Sequence, residues 1–74
     1  MQYCLPEASF VTLKVYNMLG QEIRTLINEH QSEGFKSVVW DGKNNQGESL
    51  PSGTYIYLFE AGDYVKFYKG MLIK

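Results

Sequence analysis

The chain has 74 residues, a formal net charge of −1 and 45% hydrophobic residues, the dimensions of one small globular domain without room for a second core. Its apolar fraction is too high for an intrinsically disordered tail. A charge this balanced, with no cluster of Lys and Arg, removes the electrostatic case for binding nucleic acid or an anionic membrane.

Phe10 to Tyr16 reads as a strand, with Val11, Leu13 and Val15 on one face and Thr12 and Lys14 on the other. Asn17 to Gln21 supplies a turn in which Gly20 is free to take positive φ. Glu22 to Asn28 reads as a shorter strand. A helix over Glu22 to His30 is disfavoured, because no capping residue opens it and strands flank it. Asn28 to Gly34 is polar, ends in glycine and reads as a loop. Phe35 to Trp40 alternates again, with Val38 and Trp40 on one face. Asp41 to Gly53 is a long excursion dense in turn formers. Thr54 to Glu60 is the strongest strand, with Tyr55, Tyr57 and Phe59 opposite Ile56 and Leu58, and its two apolar faces predict a central strand covered on both sides. Ala61-Gly62-Asp63 turns the chain into a last strand, Tyr64 to Lys74. The sum is an all-β fold, a small Ig-like antiparallel β-sandwich of about six to seven strands. Val11, Leu13, Val15, Trp40, Tyr57 and Phe59 are its expected core.

Chemistry is sparse. Cys4 is the only cysteine, so neither an intramolecular disulfide nor a Cys-based zinc site can form within the chain, and it reads as a small apolar strand residue. The longest apolar run, Tyr55 to Phe59, is far below the ~20 residues of a membrane helix, and the N-terminus has no basic start and apolar core of a signal peptide. His30 sits among carboxylates in a polar segment and lacks a second strong metal ligand. Asp41 to Glu48 resembles a calcium loop only superficially: Lys43 stands where a ligand is needed and Gln46 where glycine is needed. Asp41 and Asn44 capping their own turns account for those residues.

Leu50-Pro51-Ser52-Gly53-Thr54 reverses the Thr-Gly order of a sortase tag, and Ser52 has no nucleophile elbow. No pair of carboxylates demands acid–base work. The reading is a protein that is not an enzyme and carries no cofactor. Trp40, Tyr55 and Tyr57 read as core aromatics, while Tyr64 and Tyr68 are the better candidates for an exposed sugar-stacking surface.

Four ordered blocks carry a resemblance. They are Val11 to Ile23, Trp40-Asp41-Gly42, Ser52 to Tyr57, and Lys69-Gly70-Met71-Leu72-Ile73-Lys74. Together they resemble the type A C-terminal sorting domain of type IX secretion cargo, which overlaps in sequence with the Ig-like domain of the flagellar hook-capping protein FlgD. The resemblance covers essentially all of residues 1–74, as a single domain expected to lack the start of its first strand. The Pro-Asn-Pro-like segment usual before that strand is absent, and only Lys69 stands where a basic pair is common. The resemblance implies a non-catalytic module at the end of a large secreted Bacteroidetes-type protein, reaching the surface or medium through the periplasm. Its implied partners are outer-membrane translocation proteins and the upstream domains of its parent, with no nucleic acid and no membrane insertion. The implied recognition residues are Gly20, Gly53, Tyr55, Lys69 and Lys74, the two glycines serving turns and Tyr55 acting like a tyrosine corner. The alternatives are an assembly module akin to the hook-capping domain, self-associating through exposed strand edges, and a carbohydrate-binding accessory module.

Overall fold

Six strands follow one another in a computed structural model that describes residues 1–73. They are β1 (Gln2–Leu5), β2 (Ser9–Tyr16), β3 (Glu22–Gln31), β4 (Gly34–Ser37), β5 (Gly53–Ala61) and β6 (Tyr64–Leu72), with no helix among the described residues. All pairings are antiparallel. β1 and β4 form a two-stranded sheet, and the other strands form a four-stranded sheet in the order β3-β2-β5-β6. The two sheets enclose a core of Leu5, Val11, Leu13, Ile27 and Phe59, against which Tyr3, Leu26, Val38, Tyr57 and Tyr68 pack.

Alternation in β2 sets the inner face of the larger sheet: Val11 and Val15 are 0% exposed and Leu13 is 1% exposed. Full burial of such side chains stabilises by about 1.5–3 kcal/mol each. β3 breaks strict alternation with the adjacent pair Leu26-Ile27. The register shows why: Leu13 pairs with Ile27 and Lys14 with Thr25, so Leu26 is the extra residue of a bulge. Both apolar residues can then approach the core.

Several expectations change. β3 is longer than the expected Glu22 to Asn28, running to Gln31, and the loop is only Ser32-Glu33; His30 is therefore a strand residue. β2 opens at Ser9, and the pairs Ser9–Gln31 and Phe10–His30 extend the ladder, the first half-buried and the second exposed. The Phe10 and His30 rings meet edge to face at 5.1 Å. β4 stops at Ser37 rather than Trp40, because its partner β1 ends the ladder at Gln2–Ser37, with Met1 and Val38 exchanging one more pair of bonds.

Gln2–Leu5 is a strand that the composition of Met1 to Pro6 does not announce. Its alternation is real: Leu5 is buried and Tyr3 half-buried, whereas Gln2 and Cys4 are exposed on the outer face. Finally, β5 is central in its sheet but covered on one side only. Ile56 and Leu58 lie half-buried on the outer face, across from Lys69 and Phe67 of β6.

Candidate functional site

The larger sheet gathers most of the expected recognition positions at one end. Tyr16, Ile56 and Lys69 lie in one cross-strand row, Gly53 pairs with Leu72 three rows further on, and the turn bearing Gly20 continues from Tyr16. In that turn the Asn17 Oδ1 accepts from the backbone N–H groups of Leu19 and Gln21, both at 3.0 Å. The Gly20 N–H donates to the Asn17 carbonyl at 3.0 Å, and Gly20 has φ +83°. This is the left-handed region that a Cβ penalises. Met18 and Leu19 stand exposed at its tip.

Gly53 differs from its expected role. It is the first residue of β5, it has no positive φ, and a Cβ built on it meets nothing within 4 Å. It therefore serves no turn that requires glycine. Tyr55 is 6% exposed and faces inward, its hydroxyl donating to the Pro51 carbonyl oxygen at 2.7 Å. That is the geometry by which a tyrosine corner ties a strand to the chain just before it. Lys69 is exposed on the outer face of β6. Tyr55 and Lys69 thus point to opposite sides of the sheet, and one partner surface cannot touch both side chains without wrapping its end. Lys74 lies outside the described residues.

Trp40 is not the anchor between two sheets. It sits past the end of β4, half-buried, and roofs the part of the inner face that the short sheet leaves uncovered. Its ring meets Tyr55 edge to face at 5.1 Å and Tyr57 at 6.2 Å, and its Nε1 donates to the Lys43 carbonyl at 2.9 Å. Tyr57 is likewise half-buried at the margin of the core, and burial raises its pKa.

The 41–50 excursion is a docked cap. Asp41 Oδ1 accepts from the Lys43 N–H at 3.0 Å, and Asn44 Oδ1 accepts from the N–H groups of Gln46 at 3.0 Å and Glu48 at 2.9 Å. Those oxygens of the calcium-like segment are engaged with their own turns. Asn45 then pairs with the outer edge of β3: its N–H donates to the Ile23 carbonyl and its Oδ1 accepts from the Thr25 N–H, both at 3.0 Å. Arg24, which the sequence reading passed over, reaches Asp41 at 3.4 Å and the carbonyls of Lys43 and Asn44 at 3.2 Å. Only its lone charge among β-formers marked it. Among the described residues no group of three or more His, Cys, Asp or Glu side chains gathers to hold a metal.

On the other side of the molecule, β1 and the β5–β6 hairpin wall a groove of about 480 Å³, lined by Tyr3, Leu5, Phe59, Ala61, Tyr64 and Tyr68 among others. Tyr64 is 52% exposed and Tyr68 half-buried. The Tyr64 and Phe59 rings stand edge to face at 6.2 Å, and Lys66 Nζ lies 5.2 Å from the Tyr68 ring centre. These rings line a cleft and do not form a flat stacking platform.

The family model of the FlgD Ig-like domain matches residues 2–63. The chain belongs to the FlgD Ig-like domain family. The match spans β1 to β5 and leaves β6 beyond it. FlgD Ig-like domains are generally non-catalytic modules. No curated protein and no solved structure matches the chain.

Proposed function

We propose that this FlgD-type Ig-like domain is a non-catalytic C-terminal sorting module of a larger secreted bacterial protein. It directs its parent to the outer-membrane translocation machinery of type IX secretion, through the periplasm and on to the cell surface. The observation that carries this reading is positional. The Gly20 turn, Gly53 and Lys69, from three separate resembling blocks, meet at one end of the larger sheet. A single receptor surface could read that end through turn shape and strand edge, without a strong charge. A reporter joined upstream of residues 1–74 in a host with that pathway tests it: export supports the reading, and retention in the periplasm overturns it.

A second reading, an assembly module, is favoured by one observation. β6 is an edge strand whose outer face exposes Val65, Phe67 and Met71, and long apolar edges invite pairing between molecules. Light scattering over a concentration series separates the two, since a strict monomer at high concentration removes self-assembly.

A further inference from the structure

The smaller sheet has two strands where the sheet beneath it has four. The free edge of β1 ends above β5 and β6, and the 480 Å³ groove is the space that remains. We propose that this groove receives an extended segment of another polypeptide, apolar at alternate positions, which adds to β1 as the third strand of the smaller sheet.

The backbone specifies the occupant. Met1 and Val38 exchange both of their hydrogen bonds, at 2.7 and 2.8 Å. In an antiparallel pair such residues alternate with pairs that do not exchange bonds. Hence Tyr3 bonds to Lys36 and Leu5 to Gly34, while Gln2 and Cys4 turn their N–H and C=O groups away from β4. Both residues line the groove. A row of outward donors and acceptors at a two-residue repeat is satisfied by a strand and not by a helix or a sugar ring. Pro6, which has no N–H, ends that row beside Glu7, and both also line the groove.

The floor specifies the side chains. Phe59 and Ala61 of β5, with Tyr64 and Tyr68 of β6, lie under the space a third strand would occupy. A strand sends every second side chain to one face, so apolar groups at alternate positions would land on these rings while the intervening ones stay in water. The volume falls within the range of about 300–1,000 Å³ typical of sites that bury a ligand. A second copy is a poor donor, because each of its six strands is already paired and one would have to leave its own sheet.

The test titrates isotopically labelled protein with a synthetic peptide of about nine residues, alternating threonine and valine with a lysine at each end. The expected result is saturable amide shifts at Gln2 and Cys4 with slowing of their hydrogen exchange by about tenfold or more. A peptide with every valine replaced by serine, and the variants Gln2→Pro and Tyr64→Glu, should each weaken binding by about tenfold or more. Gln2→Pro removes an N–H that β4 does not use; Tyr64→Glu places a charge on the floor at a half-exposed position and keeps the test decisive if the proline disturbs β1. No saturable shift up to about 1 mM peptide, shifts confined to Val65, Phe67 and Met71, or protection of Gln2 and Cys4 that grows with protein concentration without peptide would each overturn the proposal.

Discussion

The Tyr55 hydroxyl donates to the Pro51 carbonyl oxygen at 2.7 Å, tying the start of the central strand to the loop that enters it. The same ring carries Trp40 edge to face at 5.1 Å. One residue thereby fixes both the loop before β5 and the roof over its end. Tyr55→Phe keeps the ring and removes the bond, so it should cost about 1 kcal/mol. For a domain of this size that lowers Tm by about 4–8 °C. A thermal melt followed by circular dichroism measures it, and an unchanged Tm would show that water replaces the bond at no cost.

Two glycines should respond in opposite ways. Gly42 has φ +77°, and a Cβ there would lie 3.1 Å from Leu72 Cδ1, so Gly42→Ala should destabilise by about 1–2 kcal/mol from the left-handed backbone alone. Gly53 has neither constraint, and Gly53→Ala in a strand should be neutral or stabilise by up to about 1 kcal/mol. Urea midpoints of the two variants check the contrast. If Gly53→Ala folds normally yet abolishes export of a fused reporter, Gly53 is a contact residue rather than a structural one.

Asn45 guards the outer edge of β3 through Ile23 and Thr25. Asn45→Ala removes the side-chain bond to the Thr25 N–H, a loss of about 0.5–1.5 kcal/mol. Hydrogen exchange at Thr25 should accelerate while exchange at Leu13, in the buried centre, changes only with global stability. Equal protection of Thr25 in both proteins would mean that Arg24 and the backbone bond to Ile23 hold the cap without the Asn45 side chain.

Burial raises the pKa of Tyr57, and burial is also the largest influence raising that of Tyr3, from the ordinary value of 10.0. The folded state holds these protons more tightly than the unfolded chain. Their contribution is therefore complete below pH 10 and lost as pH climbs through the folded pKa values. Urea midpoints should fall as pH rises above about 10, and less steeply in Tyr57→Phe.

Much of the fold was legible because apolar alternation is dictated by the pleat. Val11, Leu13 and Val15 needed no tertiary information to be placed on one face. What escaped was set by partners distant in sequence. The polar end of β3 is a strand because β2 runs alongside it, and β1 is a strand because Gly34 to Ser37 lies opposite. Trp40 was assigned by hydrophobicity to a layer between sheets, whereas its Nε1 bond to Lys43 holds it at the end of one. Gly53 was read as a turn residue by type; only its φ shows otherwise. The opposite orientations of Tyr55 and Lys69 follow from alternation once Tyr55 is paired with Gly70, a register the sequence does not contain.

The sorting role rests on what residues 1–74 do to a passenger, and protease accessibility of a reporter on intact cells measures that most directly. With the module attached in a host that has type IX secretion, the reporter should be digested from outside or recovered from the medium, and it should remain inside when the translocation machinery is deleted. A folded reporter that stays protected in the periplasm with the machinery intact would contradict the account.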